Sequence, residues 1–293
     1  MKKYEGKPIA QLLPMSDQIV IAVSGDSLMA TVNAGENWYA VLTETGTELR
    51  SAFLFDPQNG WVVGSPVLIM KLEKLPNGMV ANKLQNPPPG DLHSIFFRDA
   101  QHGWIGGADG LLLSTQDAGR TWSSRALRVR ESGESAMPTV RGITFLSESS
   151  GAALFGNNQV IISDNGGEQW RPVTFPKGTV LETLTRQGQT LWLGGGRQLT
   201  PTLVVAGLWR SDDSGKSWKA MNLGEIYGAV TGVWFADATT GYIAARGKVY
   251  TTQDGGQTWR EFSDGSVAIE KIIGATASTL WGTAGGAIYR SGP

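Results

Sequence analysis

The chain of 293 residues has no cysteine and only two histidines. It also lacks an apolar run of the roughly 18 residues that a membrane-spanning helix needs. Without cysteine there are no disulfides and no thiol chemistry, and His93 and His102 alone do not make a common zinc site. A net charge of −1 argues against nucleic-acid binding. We therefore predict no metal, no cofactor, no membrane insertion and no nucleic-acid partner.

Glycine and tryptophan are abundant instead, with 39 and 11 residues. An octamer of the form Ser/Thr-x-Asp/Asn-x-Gly-x-x-Trp occurs five times, which indicates a repeat architecture. Its copies span residues 31–38, 115–122, 163–170, 211–218 and 252–259. In each copy the third residue is an acid or amide and the eighth is a tryptophan. These pairs are Asn33 and Trp38, Asp117 and Trp122, Asn165 and Trp170, Asp213 and Trp218, and Asp254 and Trp259.

Each octamer is typical of a tight hairpin between two strands. Short polar side chains bond nearby backbone groups and close the turn. Glycine allows a positive φ where the chain reverses, and tryptophan buries a large aromatic surface as the next strand begins. All of these roles are structural, and nothing in the octamer resembles a nucleophile with its base.

The octamers resemble Asp boxes, or BNR repeats, which occur in sialidases and other β-propellers. A second phrase, Phe-x-Asp-x-x-x-Gly-Trp-x-x-Gly, is matched at residues 97–106, in part at 56–64, and more loosely at 145–151 and 235–242. The combination is similar to the photosystem II stability/assembly factor-like family, which also has bacterial members, and a bacterial member is what we expect here. The resemblance implies a protein-binding propeller that assists the assembly or stability of a membrane protein complex, and we expect it to be a monomer. Because the family is usually exported, it also implies a periplasmic or otherwise extracytoplasmic protein whose leader is absent from this chain.

The spacing of the octamers predicts the number of blades. Their tryptophans are 84, 48, 48 and 41 residues apart. The gap of 84 is two periods, so one box has degenerated, at the turn of residues 75–78. A seventh unit begins near residue 266 and lacks an outer strand, which the N-terminal segment can supply.

We therefore predict an all-β, seven-bladed β-propeller in one domain, residues 1–293, with four strands A to D per blade from the axis outward. The predicted blades are 10–45, 46–90, 91–137, 138–178, 179–226, 227–265 and 266–293, with residues 3–9 completing the last.

The candidate binding residues are arginines. In a propeller the A–B turns and C–D hairpins share one face, here the box face, and the B–C turns and blade-to-blade links share the other, the loop face. Three enlarged segments, 86–90, 130–138 and 195–206, fall on the loop face, and long loops often bind partners. Arginines suit carboxylate and carbonyl groups, and the family resemblance favours a docking patch. The candidates are Arg50, Arg128, Arg130, Arg141, Arg197 and Arg246, although unrelated solvated arginines would give the same sequence.

Two alternatives compete with a non-enzymatic, protein-binding scaffold. A sialidase-like glycoside hydrolase, or a glycan-binding propeller, shares the box, but such hydrolases have six blades and an early Arg-Ile-Pro signature that is missing here. Residues 25–28 and the pair Asp99 and His102 match motifs of a lipase/esterase family. Ser27 and His102 are expected on opposite faces, beyond hydrogen-bond reach. We therefore predict a protein without catalytic residues.

Overall fold

The computed structural model describes residues 2–75, 78–126, 138–262, 267–276 and 279–291. These residues form seven four-stranded antiparallel sheets, with one short 3-10 turn at Ala108–Gly110. Within the described part of the chain, no helix is long and apolar enough to cross a membrane. The predicted seven-bladed, all-β propeller is confirmed.

Each blade has four strands, which run in order from the axis outward. Blade 1 holds β2 (Ile9–Pro14), β3 (Val20–Ser24), β4 (Ser27–Thr31) and β5 (Tyr39–Thr43); blade 2 holds β6 (Glu48–Asp56), β7 (Asn59–Ser65), β8 (Leu68–Leu75) and β9 (Gly78–Lys83). Blade 3 holds β10 (Leu92–Phe97), β11 (Gly103–Gly107), β12 (Leu111–Thr115) and β13 (Ser123–Ala126); blade 4 holds β14 (Val140–Phe145), β15 (Gly151–Phe155), β16 (Val160–Ser163) and β17 (Arg171–Val173). Blade 5 holds β18 (Thr179–Gln187), β19 (Thr190–Thr200), β20 (Leu203–Ser211) and β21 (Lys219–Ala220); blade 6 holds β22 (Val230–Phe235), β23 (Gly241–Ala245), β24 (Lys248–Thr252) and β25 (Arg260–Glu261). Blade 7 holds β26 (Lys271–Thr276), β27 (Thr279–Ala284), β28 (Ala287–Ser291) and the N-terminal β1 (Lys2–Glu5).

The N-terminal strand closes the ring, as the sequence indicated. Strand β1 pairs antiparallel with β28 and becomes the outer strand of the last blade. Behind it, Tyr4 lies 5.7 Å from Trp38 of blade 1, and Trp38 meets the fully buried Trp281 edge-on at 6.3 Å. The two chain ends are therefore held together by backbone pairing and by aromatic packing, which covers an otherwise open sheet edge.

All five octamers lie between strands C and D of their blades, and their polar atoms are used locally. In blade 6, the Thr252 hydroxyl accepts a hydrogen bond from Gly256 N at 2.9 Å and donates to Asp254 Oδ1 at 2.7 Å. The same Asp254 oxygen accepts from Thr258 N at 2.9 Å. Gly256 has a φ of +87°, a conformation that suits glycine. The other four copies repeat these three bonds.

Asp boxes and Asn boxes differ at one further position. The three boxes with aspartate have a hydroxyl residue before the tryptophan, and its side chain donates to the second carboxylate oxygen. The two boxes with asparagine have Asn37 and Gln169 there instead. A carboxylate offers a second acceptor that an amide lacks, so acid and hydroxyl occur together.

Repeated aromatic groups join neighbouring blades. In three places a phenylalanine from strand A stacks on a strand B tryptophan of the preceding blade, with centroids 5.8, 3.8 and 4.1 Å apart. The box tryptophan meets the same phenylalanine edge-on. These groups are Trp61–Phe97–Trp122, Trp104–Phe145–Trp170 and Trp192–Phe235–Trp259. Aromatic pairs of this kind add about 0.5–1.5 kcal/mol each beyond their burial.

The strand order places the boxes and two of the enlarged segments at opposite ends of the blades. Residues 86–90 link blade 2 to blade 3, on the loop face. The prediction of a long loop at 195–206 was wrong in form: β19 and β20 extend as a ribbon to Thr200 and Leu203, paired along most of their length. The remaining enlarged segment is 130–138, and residues 127–137, which include most of it, lie outside the described residues.

Candidate binding site at the propeller axis

The innermost strands share an irregularity close to the loop face. In each of blades 1 to 6, the pairing of strand A with strand B shifts by one residue, immediately after the first buried aliphatic residue. Such a bulge leaves one residue unpaired and redirects side chains. The unpaired residues, which we call the axial ring, are Ala10, Arg50, His93, Arg141, Glu182 and Thr231.

The axial ring lines a cavity of about 690 Å³, to which the inner strands of all seven blades contribute. Its volume lies within the range of typical ligand pockets, which is roughly 300–1,000 Å³. Glu48 of blade 2 and Lys271 of blade 7 add charge to the same wall. The cavity is therefore a polar, charged opening at the centre of the loop face.

Arg50 is held within a compact charged cluster. Its guanidinium lies 3.2 Å from Glu48 and 3.1 Å from Asp91, and it also contacts the ring of His93. Burial lowers the pKa of His93, and the charge of Arg50 lowers it further. Burial acts to raise the pKa of Asp91, but hydrogen bonding and the charge of Arg50 outweigh it, so that the pKa is lowered. At neutral pH this cluster holds one cation between two carboxylates.

Arg141 of blade 4 and Lys271 of blade 7 are the other two cations of the wall. Among the described residues, Arg141 makes one ion pair, with Glu182 of blade 5 at 3.3 Å. Lys271 Nζ donates to the backbone oxygen of Ala10 at 3.2 Å. Lys271 is exposed at the cavity wall, yet the surrounding protein lowers its pKa; the charge of Arg141 lowers it further, and the charge of Glu270 acts in the opposite direction. Two cations therefore line this part of the cavity, and only Arg141 is in an ion pair there among the described residues.

The other candidate arginines do not join this cavity. Arg197 lies on strand β19, paired with Thr179 and Val205, and lines a separate groove beside Leu199 and Met221. Arg246 lies in the B–C turn of blade 6 with a φ of +47°.

Arg128 and Arg130 lie outside the described residues. Two of the six candidates, Arg50 and Arg141, are therefore brought together.

Sequence reasoning missed Lys271, His93, Glu182 and Thr231. A signal for them exists: each follows, by one or two residues, an aliphatic residue at or just before the start of an inner strand, as in Leu92-His93-Ser94-Ile95 and Ile269-Glu270-Lys271-Ile272. At the second of these positions the other blades have Gln, Ser, Gly or Thr, so the lysine of blade 7 stands out.

The cavity does not assemble the groups that a sialidase-type hydrolase needs. Its lining among the described residues includes arginine and glutamate but no tyrosine. Ser27 begins strand β4 at a B–C turn, and His102 lies in an A–B turn, where Asp99 holds its Nδ1 at 2.8 Å. Within the described ranges, no group of three or more histidines, aspartates or glutamates is arranged to hold a metal ion.

These features define a class: a seven-bladed β-propeller with a charged axial cavity on its loop face. Residues 82–174, from the end of blade 2 to blade 4, match the sequence model of the family described as photosynthesis system II assembly factor YCF48. The resemblance indicated by the sequence is thereby confirmed. Curated proteins gave no match.

Solved structures agree on the fold along the whole chain. A structure of YCF48 bound to D1 peptide has a TM-score of 0.73 at 18% identity, covering 100% of this chain and 94% of that chain. YCF48 from Cyanidioschyzon merolae has a TM-score of 0.77 at 15% identity, covering 100% and 98%. The WD40 propeller domain of Doa1 has a TM-score of 0.68 at 12% identity, covering 99% and 93%. At these identities the likeness establishes the fold alone.

Proposed function

We propose that this chain is a non-enzymatic, monomeric scaffold outside the cytoplasm, which binds a segment of a membrane protein and assists the assembly or stability of its complex. The observation that carries this proposal is the axial cavity on the loop face, in which charged side chains of several blades converge. A rigid ring that presents varied side chains at one opening suits the recognition of an extended segment.

The comparisons support the same function. YCF48, which this chain resembles in sequence over residues 82–174 and in fold throughout, has been solved with a D1 peptide bound. A docked peptide would place polar groups near Arg141, which is paired with Glu182, and near Lys271, which has no ion pair among the described residues. Guanidinium and ammonium groups both bind carboxylate and carbonyl oxygens.

The test is capture from the detergent-solubilised membrane fraction of the source organism. Wild-type protein is compared with Arg141→Glu, which reverses a charge in the axial cavity. The matched control is Arg120→Glu, because Arg120 is an exposed arginine of a box hairpin on the opposite face. Bound proteins are identified by mass spectrometry.

We expect wild type and Arg120→Glu to enrich the same membrane protein subunit, and Arg141→Glu to lose it. Equal capture by all three proteins would show that the partner binds elsewhere. Enrichment of no membrane protein by wild type would contradict the proposed function itself.

A further inference from the structure

The residues of the axial ring are not needed by the sheets that carry them. Each is the extra residue of a bulge and has no partner in the A–B ladder. Its side chain can therefore change in size or charge without loss of strand pairing. A ring with a structural role would repeat one residue type, as the boxes do, but this ring contains alanine, arginine, histidine, glutamate and threonine. Variation at an equivalent position points to recognition.

The two arginines of the ring differ in how far their charge is neutralised. The Arg50 side chain is 21% exposed and lies between two carboxylates, those of Glu48 and Asp91. The Arg141 side chain is 43% exposed and meets a single carboxylate, that of Glu182. A ligand acid would have to compete with two fixed carboxylates at Arg50, but with only one at Arg141.

Lys271 provides a second cation on the cavity wall, on blade 7, across the axis from Arg141 on blade 4. Among the described residues, no carboxylate lies within ion-pair distance of its ammonium group, whose one hydrogen bond goes to the backbone of Ala10. Partial removal from water acts unfavourably on the Lys271 ammonium, and so does the charge of Arg141, whereas the more distant charge of Glu270 opposes them only in part, so that the pKa of Lys271 is lowered. An anion placed between them would relieve both effects, because opposite charge favours the protonated amine.

We propose that Arg141 and Lys271 form a carboxylate-binding sector of the axial cavity, and that Arg50 supports the wall without contacting the ligand. This inference rests on the proposed function and specifies its chemistry: an acidic group of the docked peptide lies between Arg141 on blade 4 and Lys271 on blade 7. The fork of the guanidinium sets the orientation of the carboxylate, and the ammonium group adds a second donor.

The test uses three pools of short synthetic peptides of randomised sequence. The peptides of the first pool have a free C-terminal carboxylate and no Asp or Glu. Those of the second contain Asp and Glu but have an amidated C-terminus. Those of the third have an amidated C-terminus and no Asp or Glu, so they have no carboxylate. Each pool is passed over immobilised wild type, Arg141→Gln, Lys271→Gln and the control Arg120→Gln, whose exposed arginine lies on the box face, and the captured peptides are quantified by mass spectrometry. The first two pools distinguish a chain-end carboxylate from a side-chain carboxylate.

We expect wild type to capture one acidic pool over the third. Arg141→Gln and Lys271→Gln should each reduce that preference roughly tenfold, since hydrogen bonds to charged groups are the strong ones, while Arg120→Gln should retain it. The inference is overturned by equal capture of all pools, or by an Arg120→Gln loss as large as that of Arg141→Gln. Capture of no peptide from any pool would instead count against the proposed function.

Discussion

Two polar regions of this propeller follow opposite rules. In the boxes, hydroxyl and carboxylate oxygens bond the backbone of their own hairpin, and the same three bonds recur in all five copies. In the axial ring, the side chain stands outside the ladder and differs from blade to blade. Repetition thus accompanies a structural role, because every hairpin has the same backbone groups to satisfy. Variation accompanies a surface that contacts something other than the sheet.

The largest expected effect concerns the closure of the ring, on which both regions depend. Deletion of residues 1–6 removes β1, its pairing with β28 and the contact of Tyr4 with Trp38. Several backbone hydrogen bonds of about 0.5–1.5 kcal/mol each are lost. We expect the melting temperature to fall by about 10 °C, at 2–4 °C per kcal/mol for a chain of this size.

The control is Lys7→Met, which keeps β1 and removes only the ion pair with Asp26 at 2.7 Å. An exposed pair contributes about 1 kcal/mol at most. Scanning calorimetry should separate the two variants clearly. Identical curves for the deletion and for wild type would mean that the ring does not need this strand.

The next effect tests the structural role of the boxes. Thr252→Val leaves the buried Gly256 N–H without its acceptor, which costs about 1–3 kcal/mol. Thr252→Ser keeps the hydroxyl, as Ser163 and Ser211 do in their boxes, and should be close to wild type. Urea unfolding measures the difference. If valine and serine give the same midpoint, the box hydroxyl has no role in stability.

A smaller effect separates Asp boxes from Asn boxes by pH. Hydrogen bonds from the side chain and backbone of Thr121 lower the pKa of Asp117 to about 2, and those from Thr258 do the same for Asp254. The unfolded value is about 3.9, so the stabilisation is present above pH 4 and is lost as the pH falls from about 4 to 2.

The double variant Asp117→Asn, Asp254→Asn should therefore lose less stability than wild type across that window. Asparagine already occupies this position in two boxes, at Asn33 and Asn165, so the hairpins should form. Melting temperatures measured at steps from pH 5 to pH 2 provide the check. Parallel curves for the variant and wild type would assign the acid sensitivity to other groups.

The smallest effect on stability is expected in the axial ring. Arg141 has no partner in the strand ladder, and its side chain makes one partly exposed ion pair. Arg141→Gln removes only that ion pair, so the free energy of unfolding should change by about 0.5 kcal/mol or less. Urea unfolding is compared with that of Thr252→Val. If Arg141→Gln lowers the free energy of unfolding as much as Thr252→Val does, the axial ring also has a structural role.

The sequence was sufficient for the fold because its signals are local. Each octamer contains its own turn, its own hydrogen-bond partners and its own tryptophan, so five copies and their spacing predict the blades. Even the degenerate box of blade 2 was predicted, where β8 ends at Leu75 and β9 begins at Gly78. The long ribbon at Arg197 was missed because residues 195–206 resemble a loop in composition, whereas the chain pairs with itself across Thr200 and Leu203.

The candidate site was only partly predictable. Arg50 and Arg141 were named as candidate binding arginines near the start of the inner strands, but their different surroundings were not foreseen. Asp91 reaches Arg50 from 41 residues away, and Glu182 reaches Arg141 from the same separation. Lys271 approaches Ala10 across 261 residues. No local pattern reports such neighbours.

The sequence alone determined that the chain is a ring of repeated hairpins, because turn chemistry and aromatic spacing act within a few residues. Only the tertiary structure decided which charges face one another at the axis. Closing the ring brings the start of seven inner strands together, and the balance of charge at their meeting point depends on all of them at once.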